Sequence, residues 1–123
     1  MEKSYFDIGA NLTHKSFDRD LEEVLDKSIN NGIKKICITS TTIQDTKSAI
    51  DLCENRNDLL FTTVGIHPHL ADSFNEEIKN EIIKLSSNTH VKAIGETGLD
   101  FNRNYSKKEN QIFSFLNHIE ISN

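Results

Sequence analysis

Apolar and polar positions follow two alternating patterns along the chain. Four short apolar runs rich in β-branched residues predict strands, and each is followed by apolar residues at helical spacing. The predicted strands are Tyr5–Gly9, Ile33–Ile38, Leu59–Ile66 and Val91–Ile94. A strand followed by a helix, four times over with short connections, predicts a parallel sheet covered by helices. Four such units are half of a (β/α)₈ barrel, which takes about 250 residues.

Apolar stripes also predict which face each helix turns toward the sheet. The stripes are Phe17, Leu21, Val24, Leu25 and Ile29; Ile43, Ala49, Ile50 and Cys53; Ile78, Ile82 and Leu85; and Ile112, Phe113, Leu116 and Ile119. Short polar side chains precede the stripes and predict helix caps. The predicted caps are Ser16 or Asp18, Thr41 or Thr42, Ser73 with Glu76, and Ser106 with Glu109.

Composition narrows the class of protein. The chain has 123 residues and no linker, so we predict one domain over residues 1–123. A formal charge of −5 does not favour an electrostatic grip on nucleic acid, although bound divalent cations would reverse the sign locally. Cys37 and Cys53 lie in apolar patterns, which predicts reduced core thiols. With no signal peptide or transmembrane segment in the sequence, we expect an intracellular protein, cytoplasmic or nuclear, without a membrane partner.

Chemistry-bearing residues gather where the predicted strands end. Parallel strands bring their carboxyl ends to one edge of the sheet, where α/β proteins hold their sites. The strand ends carry Asp7–Asn11, Thr39–Thr42, His67 with His69, and Glu96 with Asp100. Packing explains Glu96 poorly, because an acid at the end of a buried strand has no apolar role. Gly95 would let a ligand approach closely, and Gly98 would permit a turn with positive φ.

Each of these residues also has a structural interpretation. Asn11 and Thr13 suit turns, Thr42 suits a helix cap, and the two histidines flank Pro68, which limits their convergence. Carboxylate and imidazole together on one face suit zinc or another divalent transition metal. The sequence lacks a nucleophile elbow and a phosphate-binding glycine loop. Metal-assisted hydrolysis is therefore the favoured chemistry, with no substrate specified by the residues themselves.

Three longer segments surround these strand-end residues. They are Asp7-Ile8-Gly9-Ala10-Asn11-Leu12-Thr13, Val64-Gly65-Ile66-His67-Pro68-His69, and Ala93-Ile94-Gly95-Glu96-Thr97-Gly98-Leu99-Asp100-Phe101-Asn102-Arg103-Asn104. Together they resemble the TatD family of metal-dependent deoxyribonucleases. The segments are in the family's order, and the resemblance spans essentially the whole chain. It implies the (β/α)₈ TIM-barrel fold of metal-dependent hydrolases, of which this chain would supply about the first four βα units.

The resemblance also implies an activity and roles for named residues. It implies metal-dependent hydrolysis of DNA phosphodiester bonds, from the 3′ end, at DNA ends or single strands. The cofactors would be divalent metal ions, two of them, as Mg²⁺, Mn²⁺ or Zn²⁺. Glu96 would be the catalytic metal ligand that bridges them, with Asn11 as a further ligand. Substrate would contact His67, Asp100 and Arg103, and also His69.

Two departures from the family pattern matter for activity. Gly9-Ala10-Asn11 stands where many members have His-x-His, so Asn11 offers only a neutral oxygen. The family's later metal-binding histidines and aspartate belong to strands beyond the fourth. Because a catalytic zinc takes about three protein ligands, we expect the chain as given to be an amino-terminal half, or a truncated gene product, that is inactive alone.

Two other functions remain open. The chain could be a non-catalytic half-barrel or binding module that self-associates through unpaired strand edges. It could also belong to another class of metal hydrolase on the same barrel, acting on small phosphoesters or amides.

Overall fold

A computed structural model describes residues 3–123 as four parallel strands alternating with helices. The strands are β1 (Tyr5–Ala10), β2 (Ile33–Ile38), β3 (Leu60–Val64) and β4 (Val91–Ile94), and the helices are α1 (Leu21–Asn30), α2 (Ile43–Asn55), α3 (Glu76–Ser86) and α4 (Lys108–Ser122). Short 3₁₀ helices at Lys15–Phe17 and Pro68–Ser73 precede α1 and α3. The strands pair in the order β1-β2-β3-β4, all parallel, which confirms the predicted arrangement.

The core lies between the sheet and its helices as two apolar clusters. One joins β1 and β2 to α1 and α2 around Leu25, Ile38 and Cys53, and the other joins β3 and β4 to α3 around Val64 and Ile82. Both cysteines are buried and reduced, as predicted. Burial raises the pKa of the Cys53 thiol to about 12, so this thiol is inert at neutral pH. None of the helices within residues 3–123 combines the length and the apolar character that crossing a membrane requires.

Backbone hydrogen bonds continue past the strands and align their carboxyl ends. The amide of Thr39 donates to Ala10 O at 3.1 Å, and the amide of His67 donates to Thr41 O at 3.1 Å. Gly95 N donates to Val64 O at 2.9 Å. The loops that follow the four strands therefore begin at one edge of the sheet.

Glycine is required at a position that the sequence did not single out. A Cβ built on Gly65 would lie 2.6 Å from Gly95 O, so any side chain there would force β3 and β4 apart. A Cβ on Gly95 would meet nothing within 4 Å, which leaves this side of the backbone open. Gly98 has a φ of +153°, a conformation that L side chains rarely adopt, in agreement with the predicted positive φ.

Helix α4 packs with the opposite face from the one predicted. Its apolar stripe is exposed and consists of Ile112, Phe113, Leu116 and Ile119. Its buried side chains are Gln111, Ser114, Asn117 and His118. The prediction was wrong because Gln111 and His118 find hydrogen-bond partners in the loops beneath the helix, which offsets the usual cost of burying them.

Helix caps were predicted correctly only for α2. Thr42 accepts a hydrogen bond from the amide of Asp45, as expected of a cap. Helix α1 follows Asp20 without a side-chain cap, rather than Ser16 or Asp18. Asn75 instead of Ser73 caps α3. At α4 the predicted Ser106 cap is replaced by a distant carboxylate, since Lys107 N donates to Asp72 Oδ1 at 2.9 Å.

Candidate functional site

Two histidines follow β3 and lie against each other. His67 precedes the 3₁₀ helix that begins at Pro68, and its Nδ1 accepts the amide proton of His69 at 3.1 Å. Proline fixes its own φ, which favours the start of such a turn. The ring centroids of the two histidines are 4.3 Å apart in an edge-to-face arrangement. The rings therefore converge, although the intervening proline made convergence doubtful from sequence.

Asp100 ties His69 to the loop that follows β4. Its Oδ2 lies 2.6 Å from His69 Nε2 and 3.3 Å from Arg103 Nη1, and its Oδ1 accepts the amide proton of Arg103 at 3.0 Å. The Arg103 amide, the His69 imidazole and the Arg103 guanidinium hold the pKa of the Asp100 carboxyl down at about 2. An ionised carboxylate only accepts hydrogen bonds, so His69 Nε2 carries the proton that joins the pair.

His67 is a neutral imidazole with its proton on Nε2. Burial and the neighbouring His69 lower its pKa below the ordinary value, against the opposing influence of Glu96 and Asp100. Because Nδ1 accepts the His69 amide proton, the neutral ring must be protonated at Nε2. Within residues 3–123, no protein group accepts a hydrogen bond from this Nε2–H. It is a donor suited to an anionic oxygen.

Glu96 lies in the same electrostatic neighbourhood, with its side chain exposed to solvent. Its backbone amide donates to Ser40 O at 3.4 Å, which anchors the residue beside the end of β2. Asn11 follows β1 and is exposed, and its carbonyl accepts the amide proton of His14 at 3.1 Å. The structure therefore brings together Glu96, His67, His69, Asp100 and Arg103, whereas no described contact joins Asn11 to them.

The described residues do not form a complete metal site. Among residues 3–123, no group of three or more His, Cys, Asp or Glu side chains is arranged to hold a metal ion. His69 and Asp100 are engaged with each other, and His67 directs Nδ1 at a backbone amide. Glu96 remains as a carboxylate that could provide one ligand, which is fewer than a catalytic metal takes.

Gln111 of α4 positions Asp100, and sequence reasoning missed it. The buried Gln111 Oε1 accepts the amide proton of Asp100 at 2.7 Å, and its Nε2 donates to Ser106 O at 2.8 Å. The side chain therefore connects both ends of the loop that carries Arg103 and Tyr105. A signal was present in the sequence, since Gln111, Ser114 and His118 form a polar stripe at helical spacing.

His118 and Ser106 position the segment that carries His67 and His69 through hydrogen bonds to its backbone. His118 Nδ1 donates to Ser114 O at 2.7 Å, and its Nε2 accepts the amide proton of Ile66 at 3.0 Å, one residue before His67. Burial lowers the pKa of His118, which keeps the ring neutral and its Nε2 an acceptor. Ser106 Oγ donates to His69 O at 2.8 Å. Buried polar side chains thus fix both loops of the site.

Residues 6–123 match the family described as TatD related DNase, which covers nearly the whole chain. The chain belongs to the TatD-related DNase family. Its four βα units are the first four of the barrel found in TatD-type hydrolases, as the sequence predicted. The matched residues include the segments around Glu96 and His67.

Curated TatD relatives share this chain's sequence over about half of their own length. A protein named 3′-5′ ssDNA/RNA exonuclease TatD from Pectobacterium carotovorum is 39% identical over 117 residues, which are 95% of this chain and 45% of that protein. A protein of the same name from Erwinia billingiae is 37% identical over 117 residues, with the same coverage of both chains. The chain spans about half the length of these relatives.

Solved structures of TatD proteins superpose closely on the four βα units. A TatD family hydrolase from Entamoeba histolytica aligns with a TM-score of 0.84 at 33% identity, over 96% of this chain and 45% of that one. A TatD homologue from Escherichia coli aligns with a TM-score of 0.83 at 22% identity, over 95% and 46% of the two chains. The second likeness concerns the fold alone.

Proposed function

We propose that this TatD-family chain provides part of the site of a nuclease that removes nucleotides from the 3′ end of single-stranded DNA or RNA. The observation that carries the proposal is the connected set His67, His69, Asp100 and Arg103 beside Glu96 at the strand ends. The names of the curated relatives supply the substrate class.

The connected side chains suit a phosphodiester. The Arg103 side chain is 62% exposed, and guanidinium binds phosphate oxygens through paired N–H donors. His67 offers an Nε2–H donor, and its neutral state avoids repulsion from the arginine. The ionised Asp100 holds His69 and Arg103 in place and is itself too occupied to act as a base. We assign phosphate binding to Arg103 and His67, with His69 as a supporting contact.

Metal dependence is the second part of the proposal. Glu96 would supply a carboxylate and Asn11 a neutral oxygen to divalent ions, two in number, drawn from Mg²⁺, Mn²⁺ and Zn²⁺. Such ions would supply Lewis-acid chemistry at the phosphate. Because residues 3–123 do not complete a metal site, we propose that the chain alone is inactive and that the remaining ligands come from outside it.

A hybrid enzyme tests the proposal. Residues 1–123 are joined to the part of the Pectobacterium relative that this chain does not cover, and release of 3′ nucleotides from single-stranded DNA is measured with added Mn²⁺ or Mg²⁺. We expect activity from the hybrid and none from the chain alone. Glu96→Gln should lower the rate by more than about tenfold, since even groups that support a metal ligand have effects of this size.

Glu109→Gln is the matched control, because Glu109 is an exposed acid on the first turn of α4. It should leave the rate unchanged. Full activity of a folded Glu96→Gln hybrid would contradict the role of Glu96. Metal-dependent cleavage by the chain alone, abolished by Glu96→Gln, would contradict the need for outside ligands.

A self-associating half-barrel is the second candidate, and the exposed apolar surface favours it. Phe6 and Ile8 on the edge strand β1 are exposed, as are Phe113 and Leu116 on α4. Two copies could each provide four strands to an eight-stranded barrel. Light scattering on the purified chain tests this: a stable dimer of 14.0 kDa subunits supports it, and a monomer at all concentrations overturns it.

A further inference from the structure

The loop between β4 and α4 exposes aromatic side chains next to the site. Tyr105 is 70% exposed and Phe101 is 43% exposed. Both belong to the irregular segment between β4 and α4 and to no strand or helix. Exposed apolar side chains grouped beside a site are typical of ligand-binding surfaces.

The Tyr105 ring is held in place although it is open to solvent. Its centroid lies 4.8 Å from that of His69 in an edge-to-face contact, with the ring planes at 83°. His69 is itself fixed by Asp100. The Asn104 amide donates to Asp100 O at 3.0 Å and closes the turn that precedes Tyr105, with Asn104 at a φ of +54°. Asparagine tolerates this left-handed conformation better than most residues.

Cationic side chains lie within the same loop and at the start of α4. Arg103 is mostly exposed, and the described contacts use only its backbone amide and one guanidinium nitrogen, both at Asp100. Lys108 Nζ lies 5.3 Å from the centroid of the Phe101 ring. The nearby acid Asp72 is occupied by Lys107 N and the Asn110 side chain. Phe101, Arg103 and Tyr105 therefore form an exposed patch of alternating aromatic and cationic side chains.

We propose that Tyr105 is a stacking platform for an unpaired base of single-stranded nucleic acid, whose backbone phosphate contacts Arg103. Phe101 provides a second aromatic contact. Alternating aromatic and cationic groups suit single strands, because each base offers a π-face and each linkage a charge. Paired bases in a duplex keep these faces covered. The inference rests on the proposed nuclease function and describes how the single-stranded substrate would be bound.

The chain contains its own fluorescent reporter for this contact. It has two tyrosines and no tryptophan, so Tyr5→Phe leaves Tyr105 as the only tyrosine emitter. An oligothymidine of about eight nucleotides, within the usual site size for single strands, is titrated into this variant of the full chain. We expect tyrosine emission to be quenched as the oligonucleotide binds. An abasic oligomer of the same length should not quench it.

Affinities from the anisotropy of a labelled oligothymidine provide the second readout. Tyr105→Ala should weaken binding by about 5- to 150-fold, the range measured for loss of one base stack. Tyr105→Phe keeps the ring and should bind within about twofold of the parent chain. Phe6→Ala, which removes an exposed aromatic ring on β1, is the matched control and should have no effect.

Several results would overturn the stacking proposal. These are unchanged affinity in Tyr105→Ala, equal quenching by the abasic oligomer, or no measurable binding of oligothymidine by the chain. Loss of binding in Arg103→Gln with normal binding in Tyr105→Ala would reject stacking and leave the nuclease proposal standing. The nuclease proposal itself depends on 3′ nucleotide release by the hybrid, which is measured independently.

Discussion

Helices α2 and α4 bury opposite kinds of surface. Helix α2 buries an ordinary apolar stripe that includes Ala49, Ile50 and Cys53. Helix α4 buries Gln111 and His118 and leaves a row of large apolar side chains in solvent. The first helix stabilises the sheet by removing apolar area from water. The second is attached through hydrogen bonds to the two loops that carry the site.

This difference separates a helix that stabilises the fold from one that positions the loops of the site. Apolar packing is tolerant of small shifts, whereas a side chain such as Gln111, which bonds two backbone groups 2.7 and 2.8 Å away, fixes the loop between them. Fully satisfied buried polar groups specify one arrangement. The site residues His67 and Asp100 each lie next to such an anchor.

Truncation of apolar residues should give the largest difference in the free energy of unfolding between the two helices. Ile50→Ala on α2, at 7% exposure, should lower the free energy of unfolding by about 2–5 kcal/mol through loss of packing. Leu116→Ala on α4, at 59% exposure, should change it by less than about 0.5 kcal/mol. Urea unfolding of both variants measures the difference. Equal losses would mean that a partner covers α4 in solution, as in a self-associated half-barrel.

Replacing polar anchors on α4 should have the next largest effect. Gln111→Leu retains size and increases apolar character, yet it should lower the free energy of unfolding by about 1–3 kcal/mol because Asp100 N and Ser106 O lose their partner. The control is Ser114→Ala, since the Ser114 hydroxyl is buried without a partner in the described residues. It should be neutral or stabilising. A neutral Gln111→Leu would contradict the anchoring role.

Acidification below neutrality should weaken the α4 attachment. Burial lowers the pKa of His118 and of His67, so the folded state resists protonation that the unfolded chain accepts near pH 6.5. The stability that they contribute is present above pH 6.5 and lost as the pH falls below it, by at most about 1.4 kcal/mol per pH unit for each histidine. In urea unfolding at pH 7.5 and 5.5, His118→Gln should show a smaller loss than the parent. An identical loss would show that His118 takes no part.

Titration of the Asp100 carboxyl should change the free energy of unfolding least, and it reports most directly on the contacts within the site. Its pKa of about 2 means that its contribution to stability is present above about pH 4 and lost as the pH falls toward 2. A carboxyl-carbon NMR titration should show that midpoint. Arg103→Gln should raise the midpoint without restoring the ordinary value, because the backbone amide of residue 103 still donates. A midpoint near 4 in the parent chain would show that the connected set does not form.

The strands could be predicted because each apolar run is followed by a helical stripe, and their order is the one that the resemblance to a barrel implies. The segments around Glu96 and His67 could be recognised from their residues, and the family match bears out that recognition. The buried face of α4 could not be predicted from the sequence. An apolar stripe ordinarily marks the buried face, and the polar stripe is buried only because Gln111 and His118 bond residues distant from α4 in the sequence. The cap of α4 failed for the same reason, because Asp72 lies 35 residues from Lys107 in the sequence. At α3 the cap is local: Asn75 accepts the amide proton of Ile78 and lies closer to the start of the helix than Ser73.

The rate of 3′ nucleotide release from single-stranded DNA by the hybrid enzyme, with Glu96 intact or as Glu96→Gln, tests the central claim most directly. The rate is measured after removal of metal by a chelator and again after excess Mn²⁺ or Mg²⁺ is restored. We predict that the intact hybrid loses activity with the metal and regains it, whereas Glu96→Gln stays at least about tenfold slower. Two results would contradict the assignment of a metal-dependent nuclease site to these strand ends. One is a rate that the chelator leaves unchanged, and the other is a folded Glu96→Gln hybrid that is as fast as the parent.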